Sequence, residues 1–328
     1  MLDRLDPTDR RLLDEFQRDL PLVPRPFAAI GTALAAGEGD VISRLEQLRA
    51  RGMIARVGAT VRPNTAGAST LAAMAVPEER IEEVAALVGA EPGVNHSYLR
   101  DDEWNLWFVA TAPDADALAA SLGRIGGATG LRVLDLRLVR PFNIDLGFRL
   151  DAGARSAMPE ARATRLAVLE PADRPILQAL TEGLPLVPRP FAAVALRIGR
   201  PEAEVIARVA ALSGAGILTR VGVIVRHRAI GWAANAMVVW DLPEDRIEAA
   251  GKALARLCGV TLCYQRLTVP GLWDFPLYSM IHARSRAEAE GILAEAAALP
   301  DLAGARHRAL FSLRCFKQTG ALLKADAA

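Results

Sequence analysis

The run Leu20-Pro21-Leu22-Val23-Pro24-Arg25-Pro26-Phe27-Ala28-Ala29 returns unchanged as Leu184-Pro185-Leu186-Val187-Pro188-Arg189-Pro190-Phe191-Ala192-Ala193. Gly52 with Gly216, Arg56-Val57-Gly58 with Arg220-Val221-Gly222, and Arg62 with Arg226 keep the same spacing. An unbroken match of this length marks a tandem duplication, so one fold must serve both halves. Function is then to be sought where the copies stop agreeing.

With 328 residues, 52% of them hydrophobic, the chain can bury cores for roughly two to four domains. No apolar run reaches the roughly 18 residues of a membrane helix, and Met1-Leu2-Asp3-Arg4 lacks a signal-peptide pattern, so no membrane and a cytoplasmic location are expected. Cys258, Cys263 and Cys315 have no CxxC spacing and read as buried free thiols. The formal charge of +1 argues against a surface built for phosphate backbone. The lysines are only Lys252, Lys317 and Lys324, so nearly all positive charge is arginine. A GC-rich coding sequence explains that, as does a demand for forked carboxylate recognition.

Apolar spacing predicts helices over 6–17, from about Pro26, and from about Asp40 to Arg51, with Gly52 as the stop, then a strand over Met53–Val61. Asp173 to Val225 repeats this pattern, which is that of a winged helix-turn-helix. Next come a strand, helix, strand, strand, helix and strand, at about 69–76, 78–90, 94–101, 104–111, 114–126 and 131–140. The second copy places them at about 233–241, 243–257, 259–267, 276–284, 285–298 and 306–315. This is the ferredoxin-like βαββαβ order of an α+β fold, an antiparallel sheet with helices on one face. The expected domains are winged helix-turn-helix units over 1–62 and 171–226, ferredoxin-like domains over 63–148 and 227–328, and a linker over 149–170. The Ala-, Arg- and Gly-rich segment Asp151–Arg165, with Pro159, marks that linker.

A DNA reader needs cations where its recognition helix begins. Here those turns hold Glu38 and Asp40, and Glu202 and Glu204, while of Arg44, Arg49 and Arg51 only Arg44 has a counterpart, Arg208. DNA is therefore an unexpected partner, although carboxylates at a helix start also suit the helix dipole. The four histidines fall differently in the two halves. His96 stands where the second copy has Leu262, His227 where the first has Pro63, and His282 opposite about Thr111. Strand alternation puts His96, Tyr98 and Arg100 on one face, and Leu262, Tyr264 and Arg266 on its counterpart. Two copies that share a fold and differ at histidine read as a pseudo-dimer with unlike halves. His307, between Arg306 and Arg308, reads as solvated, and His282, beside Met280 and Ile281, as either packing or function. Trp104, Trp107 and Trp273 suit a core or a flat ligand. Pro24-Arg25-Pro26 and Pro188-Arg189-Pro190 start a helix through proline's locked φ, or offer Arg25 and Arg189 to carboxylates.

The opening Leu5-Asp6-Pro7-Thr8-Asp9-Arg10-Arg11-Leu12-Leu13, with a winged helix followed by a ferredoxin-like domain, resembles the Lrp/AsnC regulators. Within that group, Val94-Asn95-His96-Ser97-Tyr98-Leu99-Arg100-Asp101 and Trp104-Asn105-Leu106-Trp107-Phe108 resemble the first subunit of sirohaem decarboxylase. Val225-Arg226-His227, Asn235-Ala236-Met237, Cys263-Tyr264-Gln265-Arg266 and Met280-Ile281-His282 resemble the second. The likeness spans both halves and is that of the fused NirDL family of haem d1 biosynthesis. It departs at Trp273-Asp274-Phe275-Pro276-Leu277, where the family usually has Trp-Pro-Tyr-Asn-Leu.

The resemblance implies a carboxy-lyase that turns the C12 and C18 acetates of sirohaem into methyl groups, giving 12,18-didecarboxysirohaem. It implies no cofactor beyond the iron tetrapyrrole substrate. His96 and His227 are the expected general acids, either one alternatively a ligand of the substrate iron, with Tyr98 and Tyr264 orienting them. Arg62, Arg100, Arg226 and Arg266, then Arg25, Arg189, Trp104, Asn105 and His282, are the expected substrate-binding residues. Expected partners are sirohaem, a NirGH-like complex and a second copy of the chain. The competing readings are a DNA-binding Lrp/AsnC regulator and a haem-binding protein without chemistry.

Overall fold

The structure, a computed structural model, describes residues 5–143 and 164–323. The predicted linker lies outside the described residues up to 163. In the first copy the elements are α1 (Pro7–Glu15), α2 (Pro26–Leu34), α3 (Glu38–Ala50), β1 (Ile54–Val61), β2 (Ala68–Met74), α4 (Ile81–Ala90), β3 (Val94–Arg100), β4 (Leu106–Ala112), α5 (Ala115–Thr129) and β5 (Leu134–Asn143). The second copy repeats them as α6 (Arg174–Glu182), α7 (Pro190–Ile198), α8 (Glu202–Gly214), β6 (Leu218–Val225), β7 (Ala234–Asp241), α9 (Glu244–Arg256), β8 (Val260–Arg266), β9 (Leu277–Ala283), α10 (Arg286–Ala297) and β10 (Arg306–Gln318).

The two copies associate part by part. One compact unit holds residues 5–66, 164–231 and Leu323; the other holds 67–143 and 232–322. In the first unit β1 finds its antiparallel partner in β6 of the other copy. The repeated sequence serves that exchange. Leu184 N donates to Val57 O at 2.7 Å and Leu20 N to Val221 O at 3.0 Å, so each Leu-Pro-Leu run lies along the strand of the opposite copy. A Cβ on Gly58 would stand 2.3 Å from Leu180 O, and one on Gly222 2.5 Å from Phe16 O. Only glycine permits that approach, which accounts for both Arg-Val-Gly runs.

In this unit Pro26 and Pro190 open α2 and α7 from their N1 positions, and the preceding Arg25 and Arg189 each pair with the first residue of the next helix, Glu38 and Glu202. Arg44 donates to Asp6, Asp9 and Asp40 at 2.9–3.0 Å, and its counterpart Arg208 donates to Asp173. Arg44 and Arg208, and the helix-start carboxylates Glu38, Asp40 and Glu202, are thus engaged within the motif itself.

The second unit is a closed eight-stranded barrel in the order β10-β3-β4-β2-β5-β8-β9-β7. Each copy supplies four antiparallel strands, and β5 with β8 and β10 with β3 close the seams between copies. Period-two alternation sends one residue set outward to the helices and the next inward. Val84, Val88, Leu118 and Ile125 cover the first copy's outer face, and Ile247, Leu254, Ala289 and Ala296 the second's. Inside, Trp107, Leu136, Met237, Trp273, Tyr278 and Leu310, drawn from both copies, share one core. Burying such side chains stabilises by roughly 1.5–3 kcal/mol each, so neither four-stranded half would keep its inner face dry alone. Among the described residues no helix is long and apolar enough to cross a membrane.

Candidate functional site

Strand alternation carries His96, Tyr98 and Arg100 on the inner face of β3, where they pair with the inward Val109 and Trp107 of β4. Bulges at Asn95 and Thr261, the second residues of β3 and β8, precede the inward columns. The His96 and Tyr98 rings lie 6.5 Å apart and 23° from parallel, and the Arg100 guanidinium sits 5.7 Å from the Tyr98 centroid. In the other copy Arg266 lies 4.7 Å from the Tyr264 centroid and 5.9 Å from that of Tyr278. The barrel thus collects His96, Tyr98, Arg100, Tyr264 and Arg266. Burial pushes both Tyr264 and Tyr278 up, so each phenol keeps its proton, and the Tyr278 hydroxyl accepts from Trp273 Nε1 at 2.6 Å.

The protonation of His96 follows from its neighbours. Thr111 donates its hydroxyl to Gly93 O, so it accepts from Asn95 Nδ2, and Asn95 Oδ1 faces His96 Nδ1 at 2.6 Å. That oxygen can only accept, which puts a proton on Nδ1 and leaves Nε2 as the nitrogen that carries the lone pair of the neutral ring or the second proton of the cation. The ring is set for iron ligation or for taking a proton at Nε2.

His282, on the inner face of β9, is only 3% exposed and engaged at both ring nitrogens. Asn235 Nδ2 lies 2.7 Å from Nε2 and Thr261 Oγ1 2.7 Å from Nδ1. Asn235 Oδ1 in turn accepts from Arg100 Nη1 at 3.3 Å. Register pairs Asn235 with His282 as it pairs Ser69 with Thr111, so the first copy has only hydroxyls at these two places. The motif Asn235-Ala236-Met237 drew attention to Asn235 without a role, and no sequence signal singled out Thr261, since the meaning of both lies in partners far along the chain.

The arginines divide. Arg100, 6% exposed, donates to Leu310 O at 2.9 Å as well as to Asn235. Arg266 donates to Leu136 O at 2.8 Å, is half-buried, and has a buried Nε without a hydrogen-bond partner. In the other unit Arg62 donates from Nε to Gly216 O at 2.9 Å, whereas Arg226 is exposed. Arg25 and Arg189 belong to that unit too, held by Glu38 and Glu202.

His227 also belongs to that unit, in a short turn of 3₁₀ helix over His227–Ile230. Burial, then the neighbouring Arg228 charge, pushes its imidazole down to about 4. It is therefore neutral near pH 7, a nitrogen donor or proton acceptor and not a standing acid.

Trp104 and Trp107 lie in the barrel core, with Trp107 Nε1 donating to Trp104 O and its ring edge-on to Trp273 at 5.1 Å. Asn105 commits its amide to Val76, accepting from the N–H at 3.0 Å and donating to the carbonyl at 2.8 Å, and so ties the β3–β4 hairpin to the end of β2. His307 is exposed, its ring 4.8 Å from that of Trp240. The expectation of three buried thiols needs correction. Only Cys263 is buried, with its thiol pushed up by desolvation, while Cys258 is exposed and Cys315 lies between. Among the described residues no cluster of His, Cys, Asp or Glu could hold a metal ion.

A family model described as an AsnC-like ligand binding domain matches residues 66–142 and 229–317. A second, described as a siroheme decarboxylase NirDL-like HTH domain, matches 9–54 and 173–218. The "Siroheme decarboxylase NirDL subunit" of Paracoccus pantotrophus is 66% identical over 325 residues, 99% of each chain. The "Siroheme decarboxylase NirD subunit" of Stutzerimonas stutzeri is 47% identical over 44% of this chain and 96% of its own length. A crystal structure of siroheme decarboxylase NirDL in complex with an iron-uroporphyrin III analogue superposes with a TM-score of 0.67 at 28% identity, covering 96% of this chain and 92% of that one. A relative matched end to end at this identity leaves one assignment: the chain belongs to the siroheme decarboxylase family, in its fused NirDL form.

Proposed function

We propose that this chain is a sirohaem decarboxylase that converts the C12 and C18 acetates of sirohaem to methyl groups, the step toward haem d1 that yields 12,18-didecarboxysirohaem. The observation that carries the reading is the inward His96-Tyr98-Arg100 column facing Tyr264 and Arg266 in a chain so close to named decarboxylases. Each cleavage is redox-neutral. The C–C bond breaks, carbon dioxide leaves, the electron pair stays on the side-chain carbon and disperses into the macrocycle, and one proton completes the methyl group. The macrocycle supplies the electron sink, and no further cofactor enters. The protein's share is position, charge and a proton.

Arg266, stacked on two tyrosines and half-buried, holds a carboxylate that is not cleaved. His96 takes a proton at Nε2 and delivers it to the carbon, a task worth roughly 10²- to 10⁴-fold. Tyr98, stacked toward the ring, orients it, as does Tyr264, whose phenol burial keeps protonated. His227, by itself in the other unit, is neutral near pH 7 and has the chemistry of a nitrogen ligand. In this reading α1–α3 with β1, and α6–α8 with β6, are winged helix-turn-helix units, and each βαββαβ set is ferredoxin-like. Mass spectrometry of the tetrapyrrole from His96→Ala and His227→Ala tests the roles. Each variant is expected to lose most turnover or stall after one carbon dioxide; full double decarboxylation by both would reject them.

A further inference from the structure

We infer that Asn235 and His282 are positioning residues through which the second copy sets the His96 column of the first. The inference rests on the decarboxylase reading. Its basis is a chain of hydrogen bonds with only one consistent direction. A guanidinium can only donate, so the Asn235 atom facing Arg100 Nη1 is Oδ1. The amide's Nδ2 then faces His282 Nε2, which must accept. The ring proton consequently sits on Nδ1 and goes to Thr261 Oγ1, whose own hydrogen reaches Met280 O at 3.2 Å.

His282 is therefore held neutral with Nδ1–H, and it fixes the Asn235 amide in the one orientation that receives Arg100. With Leu310 O as its other acceptor, Arg100 is pinned where its guanidinium faces Tyr98, and Tyr98 stacks toward His96. The first copy cannot build the same device, because Ser69 and Thr111 stand where Asn235 and His282 stand. The asymmetry gives each copy a distinct duty, with His96 in the first and its brace in the second. A brace of this kind acts on geometry, and small displacements of reacting groups can cost about 10²-fold in rate.

Substitution at His282 separates a brace from a direct participant. His282→Gln offers an amide oxygen to Asn235 and an amide N–H to Thr261, so it reproduces both bonds without an imidazole. We expect His282→Gln to keep kcat on sirohaem within a few-fold, and His282→Leu and Asn235→Ser to lower kcat by roughly 10- to 100-fold with a smaller change in KM. His282→Gln as inactive as His282→Leu would make His282 a direct participant and overturn the inference; full kcat in Asn235→Ser would overturn it too. The ring ¹⁵N shifts of His282 in the full chain read the device without turnover. A neutral ring with the proton on Nδ1 supports it, and Nε2–H or a cationic ring refutes it. Absence of decarboxylation by the unaltered chain would instead refute the proposed function, leaving the ¹⁵N result to decide the brace.

Discussion

Arg100 and Arg266 end the same strand in the two copies, and each donates from Nη1 to a carbonyl across a barrel seam, Leu310 O at 2.9 Å and Leu136 O at 2.8 Å. Their surroundings then diverge. Arg100 is also received by Asn235 and is buried, while Arg266 lies half-buried against Tyr264 and Tyr278. Equal sequence positions thus hold a structural arginine and one suited to a ligand.

The first prediction follows. Arg100→Gln should lower stability by about 1–3 kcal/mol, because buried acceptors lose their donor. Arg266→Gln should leave the melting temperature within a few degrees and weaken sirohaem binding by about tenfold, the loss of one charged hydrogen bond. Thermal melts and titration of the sirohaem absorption band check this; the reverse pattern would exchange the two roles.

His227 gives stability a pH dependence. Unfolded, its imidazole takes a proton near pH 6.5; folded, only near pH 4. Between those values the unfolded chain binds the extra proton, so acidification favours unfolding by up to about 1.4 kcal/mol per pH unit, and this contribution is fully present above pH 6.5. Melting temperatures of His227→Gln should fall less steeply than those of the unaltered chain from pH 6.5 to 4.5. Parallel curves would show that His227 titrates normally.

Arg44 and Arg208 occupy matching places yet should differ in their loss. Asp173, with no exposed surface, is bonded by Arg208 at 2.5 and 2.8 Å. Burial alone would raise that carboxyl, but hydrogen bonds from Arg208 and the Glu170 N–H hold it below its ordinary value. Arg208→Ala strands a buried charge and should destabilise by about 3–5 kcal/mol. Arg44→Ala, among the more exposed Asp6, Asp9 and Asp40, should cost about 1 kcal/mol. Chemical denaturation of both variants makes the comparison.

Local signals were readable in the residues. Apolar spacing, Pro26 and Pro190 at helix starts, and the exact repeat located the α-helices and strands to within a few residues, but not the 3₁₀ turn over His227–Ile230. Alternation placed His96, Tyr98 and Arg100 on one face, which the barrel preserves because the bulge at Asn95 precedes all three. The pairing of β1 with β6 and the closure of β5 on β8 were not readable, since each joins segments more than a hundred residues apart and leaves no local periodicity. The same distance hid Thr261 and the role of Asn235, whose partners make them matter. The structural place of Asn105 was hidden for a related reason: its amide bridges to the backbone of Val76, 29 residues away in the sequence.

The most direct test is mass spectrometry of the tetrapyrrole after anaerobic incubation of the purified chain with sirohaem. The account predicts a product lighter by two carbon dioxide units, with the intermediate of one loss accumulating in His96→Ala or His227→Ala. Sirohaem bound and recovered unchanged would contradict it and make the chain a tetrapyrrole-binding protein without this chemistry.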